Sequence, residues 1–76
     1  MEWEVEKIVQ SEIITYTRKI RRVSKTFKKL RYFVKWAGYS EDENTWEPPE
    51  GLENAREEVE RFHKENPRMP VPKDVE

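Results

Sequence analysis

Leu30-Arg31-Tyr32-Phe33-Val34-Lys35-Trp36 is the stretch that decides the fold class. Its apolar side chains recur at every second position, so Leu30, Tyr32, Val34 and Trp36 share one face of a strand and Phe33 stands on the other. Such a strand is at least partly covered on both sides. Toward the N-terminus, Glu2-Trp3-Glu4-Val5-Glu6 alternates polar and apolar, and Ile8, Val9, Ile13, Ile14, Tyr16 and Ile20 continue a β-branched and aromatic composition that favours a second strand. The residues joining the two runs include neither Gly nor Pro, so a tight primed turn is not signalled. The expected reversal lies near Val23-Ser24-Lys25-Thr26, at the end of a long basic hairpin. Toward the C-terminus, residues 37–44 read as a turn-rich acidic link, and Thr45-Trp46-Glu47 reads as a short third strand ended by Pro48-Pro49. Asn54 with Glu57 three residues later predicts a capped helix running to about Glu65, with Ala55, Val59 and Phe62 on its inner face and Asn66-Pro67 as its stop. The residues after it, with Pro67, Pro70 and Pro72, predict an extended tail or linker at 67–76.

The chain has 76 residues, enough for one small domain with only a few kcal/mol of net stability. Apolar residues make up 34% and charged ones 41%, close to the composition of chains that cannot bury enough surface to fold. The three Trp, three Tyr and three Phe argue otherwise, because each ring can bury roughly 150 to 250 Å². The absence of Cys excludes disulfides and thiolate metal sites. No apolar run approaches the roughly 20 residues of a membrane helix, and the first ten residues lack a signal-peptide core, so a soluble intracellular setting without a membrane partner is expected. The net charge of -1 conceals segregation: residues 18–35 carry nine bases and no acid, whereas 36–60 carry nine acids and one base. An acidic face suits a cationic ligand and a basic stretch suits an anionic one; solvated faces that keep a small domain soluble are the plainer reading.

Catalysis finds little support. His63 is the lone histidine and falls on the predicted helix, where a solvated or half-packed ring is the ordinary role. Glu41, Asp42 and Glu43 have no base, nucleophile or oxyanion hole nearby, and one His without Cys leaves no metal-ligand spacing. The reading is therefore a non-enzyme without metal or cofactor. The aromatic and acidic residues are more informative. Trp36 and Tyr39 flank the end of a strand, Glu43 follows, and Trp3 sits among Glu2, Glu4 and Glu6. If the N-terminal strand folds back beside that turn, three rings and a carboxylate converge on a guest that is a soft cation, such as a methylated ammonium.

Taken together, residues 3–8, the Tyr32 to Tyr39 block containing Lys35-Trp36-Ala37-Gly38-Tyr39, the Asn44-Thr45-Trp46-Glu47-Pro48 block and a helix ending in Phe62-His63 resemble a chromodomain over residues 2–65. The resemblance implies an α+β fold: a curved three-stranded antiparallel sheet, SH3-like, with a C-terminal helix packed across it. That domain would fill residues 1–66, with its basic hairpin at about 17–31. It implies a nuclear, chromatin-associated reader of methylated lysine on a histone H3 tail, with lysine 9 favoured over lysine 27. The family's cage falls on Trp3, Trp36 and Tyr39, with Glu43 at its rim, and Trp46 falls on the structural tryptophan of the core. The peptide would add as a strand between Glu2, Glu4, Val5 and Glu6 on one side and Glu50, Gly51, Leu52, Glu53 and Asn54 on the other. The N-terminal segment would then have few partners of its own and order only with the peptide.

Three departures from the family pattern stand out. Trp3 replaces the usual Tyr, which keeps or strengthens the cation–π term. Gly51 stands where many members have Asn, which removes a side-chain hydrogen bond. The hairpin is longer and more basic than usual, so Arg18, Lys19, Arg21, Arg22, Lys25, Lys28, Lys29 and Arg31 form a candidate contact patch for DNA or RNA. The alternative function is accordingly a nucleic-acid-binding or chromatin-targeting domain, of the kind at the end of retroelement integrases, which share the Phe-His and Asn-Pro ending. A chromoshadow-like dimerisation domain is disfavoured, because that subfamily generally lacks the cage that Trp36 and Tyr39 retain; a monomer is expected.

Overall fold

The computed structural model describes residues 3–75. Strands β1 (Val5–Ile20), β2 (Val23–Trp36) and β3 (Thr45–Glu47) form one antiparallel sheet in the order β1-β2-β3, followed by helix α1 (Arg56–Glu65). β1 and β3 do not meet, so the sheet is open. Alternation along β2 puts Leu30, Tyr32 and Val34, all at most 2% exposed, on the face that packs with Ile8, Leu52 and Phe62 to make the core. The expected three-stranded sheet and C-terminal helix are thus present, with Ala55 and Phe62 buried and Val59 partly buried on the inner helix face.

Several local expectations are corrected. The hairpin reverses at Arg21-Arg22, three residues earlier than expected, because Ile20 pairs with Val23. Both arginines have positive φ, 50° and 69°, as a two-residue type I′ loop requires. Neither residue type advertises that conformation; the continuous pairing from Ile13 with Leu30 out to Ile20 with Val23 fixes the register and imposes it. The helix starts at Arg56 with Ala55 at the N-cap and no side-chain cap bond, whereas Asn54 lies in a preceding 3-10 segment, Pro49–Ala55. Trp46 and Phe33 are not in the main core. They are half-buried on the opposite sheet face, with ring centroids 4.8 Å apart, and the Arg31 guanidinium sits 4.5 Å from the Trp46 ring. Nor is the tail extended: the Ser11 hydroxyl, buried, donates to the Pro70 carbonyl at 2.8 Å, and Met69 and Val75 pack against the core.

His63 is half-packed. Its Nε2 lies 2.7 Å from the hydroxyl of buried Tyr32, and its Nδ1 is buried without a partner among the described residues. Burial lowers the His63 pKa from its ordinary value and raises that of Tyr32. The unfolded chain takes up the imidazole proton near pH 6.5, while the folded chain resists it. This contribution to stability is present in full above about pH 6.5 and is lost as pH falls through the depressed folded value. Thermal melts at pH 7 and pH 5 should show the melting temperature falling on acidification, with a smaller fall in His63→Gln. An equal fall in both proteins would rule this out.

The molecule is elongated. Its radius of gyration is 14.4 Å, against about 11 Å for a compact chain of this length. The excess comes from the outer hairpin, where β1 and β2 pair with each other but no helix covers them and no residue is buried.

Candidate functional site

The site is built where β1 begins and β2 ends. Val5 lies opposite Trp36, and the Ala37 N–H donates to the Glu4 carbonyl at 2.8 Å. The expectation that this segment lacks intramolecular partners is therefore corrected: it is paired along its inner edge up to Glu4. The Ala37–Glu4 bond marks Val5 and Trp36 as a pair without direct hydrogen bonds, so the N–H and C=O of Val5 point away from β2. An acceptor and a donor on the outer edge of β1 are left for another strand.

Three rings meet at this end. The chain turns after Trp36 through Gly38, whose φ of 82° is left-handed, and the Tyr39 N–H closes the turn onto the Trp36 carbonyl at 3.2 Å. No atom would obstruct a Cβ at Gly38, so glycine is needed there for its backbone conformation alone. The turn brings Tyr39 beside Trp3: their rings stack with centroids 4.7 Å apart and planes 16° from parallel. Trp36 meets Trp3 edge-on, with centroids 5.6 Å apart and planes at 75°. Trp36 is half-buried and held by its Nε1, which donates to the Thr45 hydroxyl at 2.8 Å; that hydroxyl donates to Glu47 at 2.9 Å. Trp3 is 52% exposed, and both of its ring contacts are at this end. Glu43 is exposed on a single 3-10 turn, Glu41–Glu43, and makes no ion pair with a described residue.

A groove of about 670 Å³ runs from Trp3 and Trp36 along the outer edge of β1; Tyr39 does not line it. Trp3, Glu4, Val5 and Trp36 form one side; Gly51, Asn54, Ala55 and Glu58 form the other. Of the residues expected to receive a peptide strand, Glu4, Val5, Gly51 and Asn54 line this groove. The rest are elsewhere. Leu52 is 3% exposed in the core, Glu53 faces a separate cavity beside Arg56 and Glu60, and Glu50 lines another with Lys28 and Lys29. Glu6 pairs with Lys35 at 3.3 Å, and Glu2 lies outside the described residues. Sequence reasoning missed Ala55 and Glu58. Their spacing of three residues places them on one side of the first helical turn, a signal hidden by the assignment of Ala55 to the core alone. Acidic Glu4 on one side and half-buried Glu58 on the other give the groove the polarity that a cationic chain requires.

The eight hairpin cations stand apart from this site. All but Arg31 are exposed, and Arg31 pairs with Glu12 across the strands.

The Chromo (CHRromatin Organisation MOdifier) domain family matches residues 3–65. Heterochromatin protein 1 of Drosophila melanogaster is 44% identical over 52 residues, covering 68% of this chain and 19% of that protein. M-phase phosphoprotein 8 of Homo sapiens is 41% identical over 51 residues, 63% of this chain and 6% of that protein. DNA (cytosine-5)-methyltransferase CMT2 of Oryza sativa subsp. japonica is 42% identical over 50 residues, 62% of this chain and 4% of that protein. The chain thus spans a fifth or less of the length of these relatives. No solved structure matches it at the same stringency.

Proposed function

The chain belongs to the Chromo domain family, and on that premise we propose that it is a chromatin-binding module that reads a methylated lysine on the histone H3 tail. The observation that carries this reading is the meeting of Trp3, Trp36 and Tyr39 at the mouth of an acidic groove beside an unpaired strand edge. In this reading the methylammonium lies against ring faces, where each good contact contributes about 0.5 to 2 kcal/mol. Methylation favours this exchange, because a methylated ammonium holds its water less tightly than a bare one. Glu43 adds charge at the rim. The peptide backbone extends β1 by hydrogen bonding to the N–H and C=O of Val5, and Gly51 and Asn54 close the groove from the other side. Gly51, having no side chain, lets the peptide backbone approach closely but supplies no side-chain hydrogen bond of its own.

Similarity to a heterochromatin protein supports lysine 9, trimethylated or dimethylated, as the mark, and nuclear chromatin as the location. The affinity of one site should be around micromolar, about -8 kcal/mol, because ordering the peptide offsets much of the contact energy. The test is titration with H3 peptides carrying zero to three methyl groups at lysine 9 or lysine 27. Binding that rises with methylation and is tighter at lysine 9 is expected; equal affinity for methylated and unmethylated peptides would end the reading.

A further inference from the structure

Beyond the pair Ile13 and Leu30, seven further residue pairs carry the hairpin outward, from Ile14 with Lys29 to Ile20 with Val23. At about 3.4 Å per residue this is a two-stranded arm some 24 Å long. It is internally braced. Tyr16 and Phe27 stack across the strands with centroids 5.5 Å apart on one face, and the Thr17 and Thr26 hydroxyls lie 3.4 Å apart on the other. These two pairs brace the ribbon on both of its faces.

The charges on this arm are of one sign. From residue 13 to residue 40 the sequence has no Asp or Glu. Arg18, Lys19, Arg21, Arg22, Lys25, Lys28 and Lys29 are all exposed, and none makes an ion pair with a described residue. At the base, Lys28 and Lys29 share a cavity wall with Glu50 without pairing to it. A face evolved only for solubility would carry both signs interspersed. Register and alternation distribute the cations around the ribbon: Arg18, Lys25 and Lys29 fall on the Tyr16–Phe27 face, Lys19 and Lys28 on the Thr17–Thr26 face, and Arg21 and Arg22 at the tip.

Cations on both faces and at the end fit a groove walled by anions better than they fit a flat anionic surface, which could engage only one face at a time. The B-DNA major groove, about 12 Å wide and lined by phosphates on both rims, admits a two-stranded β-ribbon. The A-form major groove is too narrow to be read in this way. We infer that the hairpin arm is a second binding surface, which enters the major groove of B-form DNA and pairs with the phosphates of both rims, independently of the groove at the other end of β1.

The turn supplies a clean test. Asn-Gly is the preferred pair for a type I′ loop, so R21N/R22G removes two tip cations while making the turn conformation easier. Fluorescence anisotropy of the 76-residue chain with a short B-form duplex should show log K falling linearly with log[salt]. In the double variant the slope should be shallower by about 1.8, since each phosphate contact contributes roughly 0.9. Binding at low salt should weaken about tenfold or more. The melting temperature should stay level or rise, and affinity for the H3 peptide should not change; R21K/R22K should retain binding. Binding that does not respond to salt, or a slope unchanged in R21N/R22G, would overturn the inference. Tighter binding to an RNA duplex or a single strand than to the DNA duplex would overturn the groove geometry.

Discussion

Tyr39→Ala should remove most of the preference for a methylated over an unmethylated lysine, lowering the ratio of the two affinities about tenfold, while the domain stays folded. The magnitude follows from losing one ring face, worth about 0.5 to 2 kcal/mol to a cation, or roughly 2- to 30-fold. The fold should survive because Tyr39 is in a surface turn, and its one described backbone bond, to the Trp36 carbonyl, does not use its side chain. Calorimetric titration of methylated and unmethylated peptides, alongside a melting curve, separates the effects. An undiminished methyl preference would remove Tyr39 from the site. Trp36→Ala is a less clean probe, since that indole also packs against the core and holds Thr45. It should cost both binding and stability.

Phe62→Ala should have the largest effect on folding. Phe62 is 4% exposed and meets Tyr32 edge-on, with centroids 6.4 Å apart and planes perpendicular. Truncating a buried phenylalanine typically costs about 3 to 5 kcal/mol. A domain of this size has only a few kcal/mol of net stability, so the variant should be marginal at room temperature. Trp46→Ala, although it deletes a larger ring, should cost less, because Trp46 is half-buried on the face away from the helix. Urea denaturation gives both values, and a cost for Trp46 equal to or above that for Phe62 would contradict the placement of the core.

The difference between those two rings shows what was legible in the sequence. Alternation in residues 30–36 correctly separates Phe33 from Leu30, Tyr32 and Val34. Period alone, however, cannot say which sheet face a helix will cover, and the match of Trp46 to the family's structural tryptophan puts the core on the wrong side. Leu52 went unrecognised as core because it lies in an irregular segment with no period to read. The Arg21-Arg22 turn was hidden for a different reason: local propensity points elsewhere, and a long register overrides it. At the candidate site, the three rings and the Gly38 turn could be picked out because they lie in short blocks of chain. Ala55 and Glu58 could not, since the groove wall they form exists only once the helix is docked opposite β1.

The stack of Trp3 on Tyr39 bears on how the proposed reader would respond to scarce ligand. Non-bonded carbons touch at about 3.5 to 4.0 Å, so a methylated ammonium held between two parallel rings needs centroids some 7 to 8 Å apart, and these are 4.7 Å apart. In the proposed reader Trp3 would thus be an internal competitor, which has to withdraw before it can serve as a wall. Apparent affinity is then the intrinsic affinity scaled by the fraction of molecules in which Trp3 has already swung away. This scaling weakens methylated and unmethylated tails by the same factor and leaves their ratio unchanged. At a fixed tail concentration, however, it pushes the weaker ligand out of the occupied range first, so the domain gains contrast by binding everything less.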